Sequence, residues 1–141
     1  MKKLIDFLCG GDRQGSRPTQ LSLLTLRVFT GLSMAFAHGL PKLQSPAGII
    51  KGTAGMGFPA PEFFGWAAIL AEFVAALLLA IGLGTRVSAF FVAITMAVAA
   101  FIRHGADPFG KQEKALLYLF IALLFFFKGA GKYSVDARIR P

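Results

Sequence analysis

Four apolar stretches divide this chain, and polar or Gly/Pro-rich segments separate them. The stretches run from Leu21 to about His38, from Phe63 to Leu83, from Val87 to Ile102 and from Ala115 to Phe127. A helix that crosses a bilayer needs roughly 20 apolar residues, with a lower limit near 17. The second stretch meets this length, the first and third are close to the limit, and the fourth is short. The fourth crosses only if Lys111 to Lys114 begin its helix and extend their charged ends to the interface.

The pattern therefore predicts an all-α fold, an integral membrane four-helix bundle. The transmembrane domain covers residues 21–128, with helices at about 21–38, 63–83, 86–103 and 112–128. Gly82-Leu83-Gly84-Thr85 predicts a tight turn, and the Gly- and Pro-rich residues 39–62 predict a long loop. Loops of that length are often lids or binding loops.

The two ends of the chain are predicted to be tails. Residues 1–20 form an N-terminal tail that lies in part along the membrane surface, and residues 129–141 form a C-terminal tail. Both tails fall on one side of a membrane crossed four times. Nine of the fifteen Lys and Arg residues lie on that side and five on the other. The positive-inside rule then predicts that both termini are cytoplasmic.

Composition supports a membrane protein and excludes several other classes. The chain is 55% hydrophobic and 16% charged, whereas soluble domains are about 45–50% apolar and about 25% charged. The net charge of +8 comes from residues at the ends of the apolar stretches. That distribution suits membrane flanks, so the expected partner is the lipid bilayer and no nucleic acid. Cys9 is the single cysteine, which excludes an internal disulfide and a cysteine-rich zinc site.

Arg27 and Glu72 are the only charged residues inside the apolar stretches. A charge at the bilayer centre costs at least about 2.5–3.5 kcal/mol, so such residues are usually paired and functional. Counted from the outer helix ends, Arg27 lies about 16 Å deep and Glu72 about 15 Å deep. We therefore expect a buried Arg27–Glu72 pair. It either belongs to an anion, proton or quinone-headgroup site, or only locks two helices together.

Helical spacing adds further candidates to this site. Arg27, Gly31, Met34 and His38 share one helical face, and His104 ends an alanine-lined face of the third helix. Arg27, Met34, His38, Glu72 and His104 are therefore the candidate ligand-binding residues. Histidines at a membrane interface relay protons, bind a quinone carbonyl or cap a helix. The spacing of the two histidines is not a local metal motif, so no metal site is expected.

Several segments of the chain resemble the DoxX family of small bacterial membrane proteins. The resemblance covers about Leu21 to Ile139. The residues that carry it are Arg27, Gly31, His38-Gly39, Lys42, Gly57-Phe58-Pro59-Ala60-Pro61, Glu72, Gly82-Leu83-Gly84-Thr85-Arg86, His104, Glu113 and Gly129-Ala130-Gly131-Lys132-Tyr133-Ser134-Val135-Asp136. It implies a four-helix bundle in the cytoplasmic (inner) membrane. It also implies that the tail motif packs on the bundle, with Asp136 near Arg86.

The resemblance also implies a link to redox chemistry. Relatives include a subunit of a thiosulfate:quinone oxidoreductase and proteins associated with oxidative stress. Our first hypothesis is a subunit or accessory of such a system, with quinone as the ligand and a redox protein or a second copy as partner. The alternatives are a non-catalytic scaffold or assembly factor, in which the Arg27–Glu72 pair is structural, and a small transporter.

Overall fold

The computed structural model describes residues 15–139, and all regular elements in that range are helices. This confirms the all-α prediction for the described residues. The predicted interfacial segment at the start of the chain, with Cys9, lies outside them. The helices are α1 Arg17–Gln44, α2 Pro46–Gly55, α3 Pro61–Ile81, α4 Thr85–Arg103, α5 Phe109–Lys128 and α6 Val135–Ile139.

The segment predicted to be a long loop is mostly helical, so that prediction is wrong. Helix α1 continues past His38 to Gln44, and α2 follows after a single residue. Prolines stand in the first turns of these helical pieces, at Pro41, Pro46 and Pro61. Proline is tolerated there because a first-turn N–H has no partner within the helix. Helix α1 also starts earlier than predicted, since residues 17–20 are part of it.

Within residues 15–139, three helices are long and apolar enough to cross a membrane by length and composition. They are α1, α3 and α4. Helix α5 has 20 residues, and its first turns carry Lys111, Glu113 and Lys114. The fourth predicted helix is therefore present, while its crossing of the bilayer and the placement of the termini stay predictions.

The long helices pack in antiparallel order, α1 against α3, α3 against α4 and α4 against α5. Gly31 of α1 lies against Ala76 and Ala80 of α3, and Gly39 lies against the backbone of Glu72. Small residues of this kind allow helices to approach closely in membranes. We call the end that holds Arg17, Ile81, Thr85 and Lys128 the tail end, and the opposite end the loop end.

The core is rich in alanine, and the outer surface is rich in phenylalanine. Buried core positions include Met34, Ala35, Ala76, Ala93, Ala100 and Ala122. Phe29, Phe120 and Phe127 each expose more than 60% of their surface. A large exposed apolar surface marks a membrane or protein contact, and here it covers helices long enough to span a bilayer.

The turn between α3 and α4 forms as the sequence predicts. Gly82 has φ +73°, and the N–H of Leu83 donates to the Leu78 carbonyl at 2.9 Å. The N–H of Gly82 donates to the Leu79 carbonyl at 3.1 Å. This pattern is a Schellman motif, which ends a helix at a glycine in the left-handed conformation. The turn fixes where α4 begins and so positions its first N–H groups.

Candidate functional site

Glu72 is buried, and its partner is Lys42. The Lys42 ammonium donates to both carboxylate oxygens of Glu72, each at 2.6 Å. Only 3% of the Glu72 side chain is exposed, against 33% for Lys42. The lysine therefore closes the site toward the loop end and neutralises a carboxylate that would otherwise be buried alone.

Arg27 is also buried, but it lies in a different part of the molecule. Its Nη2 donates to the Tyr133 carbonyl at 2.7 Å, in the C-terminal segment. Its guanidinium also lies against Gly82 at the end of α3. The predicted Arg27–Glu72 pair is therefore wrong, since each residue has a partner of its own.

The error in the predicted pair comes from the helix register. The predicted depths place the end of α1 at His38, whereas α1 runs on to Gln44. Gly39, and not Arg27, packs at the level of Glu72. Gly39 follows Arg27 by twelve residues, which is about 18 Å along a helix axis. The two charges therefore lie in different halves of the helical assembly.

His38 of α1 lies beside the Lys42–Glu72 pair, and Met34 precedes His38 by one turn of the same helix. His38 is half-buried and interacts electrostatically with Glu72, Lys42 and Lys114. Its ring meets that of Tyr118 of α5 edge-on, with centroids 5.7 Å apart. Met34 is fully buried beneath it. We call His38, Lys42, Glu72 and Tyr118 the loop-end cluster.

Three helices contribute to the loop-end cluster. The Tyr118 hydroxyl interacts with the Ser33 hydroxyl of α1, which extends the polar contacts toward the centre of the helices. The cluster thus contains an imidazole, a phenol, an ammonium and a carboxylate. The imidazole, phenol and ammonium can donate hydrogen bonds to a carbonyl oxygen, and the imidazole can take up and release a proton.

The other predicted histidine is not part of this cluster. His104 follows the last residue of α4, and its Nδ1 donates to the Asp107 carboxylate at 2.7 Å. This contact holds the pKa of Asp107 below its usual value, with a smaller contribution from Lys111. His104 therefore organises the turn between α4 and α5. Within residues 15–139 no three His, Cys, Asp or Glu side chains gather as a metal site would require.

Irregular helical turns surround the loop-end cluster. Ala35–Gly39 and Ala71–Ala75 are π-helical, and they contain His38 and Glu72 respectively. The two turns contact each other across the α1–α3 interface. Single π-helical turns are rare and frequently occur at functional sites. Here they change which residues of α1 face α3. As a result Gly39 packs on Glu72, and Lys42 reaches the Glu72 carboxylate.

Sequence reasoning missed Lys42, Tyr118 and Asp136. Lys42 falls in the segment predicted to be a loop, and its place four residues after His38 is the available signal for a shared helical face. Tyr118 stands alone among apolar residues and has no sequence signal that links it to His38. Asp136 is predicted only as a partner for Arg86, and the structure shows it accepting hydrogen bonds from the backbone of Gly84 and Thr85, which directly precede that arginine.

The chain is similar to known proteins over most of its length. The DoxX family model matches residues 22–105. An uncharacterized protein of Haemophilus influenzae is 34% identical over 128 residues, which cover 85% of this chain and 90% of that protein. A Bacillus subtilis protein named "Putative oxidoreductase CatD" is 29% identical over 118 residues, which cover 83% of this chain and 86% of that protein.

No solved structure matches the chain significantly. The family match covers more than half of the chain and includes Arg27, His38, Lys42, Glu72 and His104. Together with the apolar helices, it identifies a membrane protein. The chain belongs to the DoxX family.

Proposed function

We propose that this DoxX protein binds the headgroup of a membrane quinone at the loop-end cluster, as a subunit or accessory of a redox system. The observation that carries the proposal is the contact of His38 with Tyr118 beside the buried Glu72–Lys42 pair. A quinone headgroup presents carbonyl oxygens, and the imidazole, phenol and ammonium groups are suitable donors to them. The relative named as an oxidoreductase supports a redox role.

The proposed setting is a four-helix bundle in the bacterial cytoplasmic membrane, with both termini in the cytoplasm. The packing of α5 along α4 supports a fourth span. The excess of Lys and Arg at the tail end supports a cytoplasmic tail end. The loop-end cluster then lies toward the outer side, and the exposed apolar surfaces between helices give a lipid-soluble ligand access from the bilayer.

Each residue of the cluster has a separate role in this proposal. Reduction of a quinone to a quinol consumes two electrons and two protons, and a partner redox protein supplies the electrons. His38 and Tyr118 donate hydrogen bonds to the headgroup and pass protons to it. Glu72 accepts both short hydrogen bonds from the Lys42 ammonium and so holds that donor beside His38.

Fluorescence of Trp66 tests this proposal. Trp66 is the single tryptophan and precedes Glu72 by six residues on α3, about 9 Å along the axis. A short-chain ubiquinone is titrated into the purified protein in detergent, and quenching of Trp66 is measured. Saturable quenching is expected for the natural sequence, with a Kd raised at least about tenfold in Tyr118→Phe or His38→Gln, the loss of about 1.4 kcal/mol.

Matched controls separate binding from partition into the micelle. Tyr133→Phe changes the only other tyrosine, at the tail end, and Glu62→Gln changes an exposed carboxylate on α3. Both are expected to bind like the natural sequence. Quenching that stays linear, or that is the same in Tyr118→Phe and Tyr133→Phe, contradicts the proposal.

The second candidate function is a non-catalytic scaffold. The two short contacts between Lys42 and Glu72 favour it, because they tie α1 to α3 regardless of any ligand. A scaffold predicts that Glu72→Gln lowers thermal stability and partner recovery while quinone has no effect on either. Stabilisation of the natural sequence by quinone, lost in Tyr118→Phe, separates the two functions.

A further inference from the structure

A second polar cluster lies at the tail end, and the proposed quinone site does not use it. Asp136 of α6 is 1% exposed. Its Oδ1 accepts the N–H of Gly84 at 2.7 Å, and its Oδ2 accepts the N–H of Thr85 at 2.9 Å. These are the first N–H groups of α4, a 19-residue helix. The unpaired N–H groups and the dipole at a helix N-terminus favour an anion.

Arg27 provides an independent sign of an anion site. Its side chain is fully buried, and its Nε and Nη1 have no hydrogen-bond partner within residues 15–139. Asp136 is the acidic group that acts on it electrostatically. The buried Thr85 hydroxyl also lacks a partner in this part of the chain. The region therefore holds more hydrogen-bond donors than the single Asp136 carboxylate satisfies.

Glycines make room for this arrangement. The turn between α3 and α4 has Gly82 at φ +73° and Gly84 at φ +55°. A Cβ at Gly82 would overlap the Arg27 guanidinium, while nothing lies within 4 Å of a Cβ at Gly84. The left-handed turn thus lets the Arg27 guanidinium pack against Gly82, two residues before the first N–H group that Asp136 accepts.

The C-terminal segment is also held by contacts that do not involve the Asp136 side chain. The N–H of Lys132 donates to Gln20 Oε1 at 2.6 Å, and the N–H of Asp136 donates to the Gly82 carbonyl at 2.8 Å. Ser134 Oγ donates to the Gly131 carbonyl and accepts the N–H of Ala137. Removal of the Asp136 carboxylate therefore leaves these backbone contacts available to preserve the surrounding structure.

We propose that the N–H groups of Gly84 and Thr85 form a carboxylate-binding site that the chain's own Asp136 occupies, and that the buried Arg27 guanidinium favours an anion there electrostatically. When that side chain is truncated, the site accepts a small free carboxylate. The C-terminal segment is in this sense a latch, because a carboxylate in the site adds to the backbone contacts that hold the segment against the helices. Since the site lies at the opposite end from His38 and Glu72, it is independent of quinone binding.

Chemical rescue by formate tests the proposal. Full-length Asp136→Ala is purified in detergent, and its thermal unfolding midpoint is measured with sodium formate or with sodium chloride at equal ionic strength. The midpoint is expected to fall in the variant and to rise saturably with formate but not with chloride. The natural sequence and Asp107→Ala, which removes a partly exposed carboxylate at the loop end, are expected to respond equally to the two salts.

A second variant checks the shape of the site. Asp136→Asn fills the volume of the carboxylate without its charge, so a lowered midpoint and no response to formate are expected. If Asp136→Ala does not survive extraction, Asp136→Ser is taken through the same titration, with recovery of monodisperse protein as an additional measurement. Equal effects of formate and chloride on the truncated variants, or a midpoint that truncation leaves unchanged, overturn the proposal.

Discussion

Lys42 Nζ lies 2.6 Å from each carboxylate oxygen of Glu72, and this contact joins α1 to α3 at the loop end. The lysine reaches the carboxylate from the turn that follows the π-helical segment Ala35–Gly39. The carboxylate is almost wholly desolvated, while the ammonium is partly exposed. This asymmetry makes the glutamate depend on its partner, because a buried carboxylate without a counter-ion is costly.

Loss of Lys42 is expected to destabilise the protein. Lys42→Met leaves Glu72 buried and unpaired, and breaking a buried pair costs roughly 3–5 kcal/mol, reduced here because Lys42 is partly exposed. The double variant Lys42→Met/Glu72→Gln is expected to be more stable than Lys42→Met alone, since no charge is then left unpaired. Denaturant unfolding in mixed micelles measures both. A double variant no more stable than Lys42→Met would contradict this account.

Gly39→Ala is expected to disturb the same interface through sterics alone. A Cβ there would lie 2.5 Å from the Glu72 carbonyl oxygen, a backbone atom that cannot rotate away. Overpacking of this kind typically costs about 1–3 kcal/mol. Gly48→Ala in α2 is the matched control, since nothing lies within 4 Å of its Cβ. The Gly48→Ala control is expected to be neutral or more stable by about 0.5–1 kcal/mol. Equal unfolding midpoints for Gly39→Ala and Gly48→Ala would contradict the steric account.

A pair of glycine variants separates backbone strain from contact with Arg27. Gly82 and Gly84 both have positive φ, so alanine at either costs about 1–2 kcal/mol in strain. Only at Gly82 does the added Cβ overlap the Arg27 guanidinium. Gly82→Ala is therefore expected to be the more destabilised variant in thermal unfolding. If Gly84→Ala is equally unstable, the close approach of Arg27 to Gly82 has no energetic consequence.

The contact between His104 and Asp107 is expected to lose its stabilising effect in acid. The hydrogen bond from His104 holds the pKa of Asp107 below its unfolded value of 3.8. Stabilisation is then present above the unfolded pKa and lost as pH falls through the folded pKa. The difference in unfolding midpoint between the natural sequence and Asp107→Asn should therefore shrink as pH is lowered below about 4.

The companion variant Lys111→Gln tests the cause of that pH dependence. It keeps the hydrogen bond from His104, which is the largest contribution to the lowered pKa, and removes the smaller contribution of Lys111. Most of the pH dependence is expected to remain. Its disappearance in Lys111→Gln would assign the effect to the lysine.

Cysteine labelling tests the proposed membrane orientation. In a Cys9→Ser background, Ser45→Cys places a thiol at the exposed loop end and Lys132→Cys places one at the exposed tail end. A membrane-impermeant maleimide on intact spheroplasts is expected to label the first and to label the second only after lysis. The reverse pattern would place the termini outside.

The sequence alone predicted most of the secondary structure because hydrophobic runs of helical length leave few alternatives. The helix predicted at 63–83 is found at Pro61–Ile81, and the one at 86–103 at Thr85–Arg103. Where proline and glycine are frequent the prediction is wrong, because proline is as compatible with the first turn of a helix as with a loop. Residues 40–44 and 46–55 are helical for that reason.

The identity of the buried charges was predictable, and their partners were not. Arg27 and Glu72 stand out in the sequence because a charge in an apolar helix is costly wherever it lies. Which group neutralises each one depends on register, and two π-helical turns shift the register of α1 and α3 by amounts that no sequence period shows. Only the packing of Gly39 on Glu72, and of the C-terminal segment on Arg27, decided that these charges belong to two separate sites.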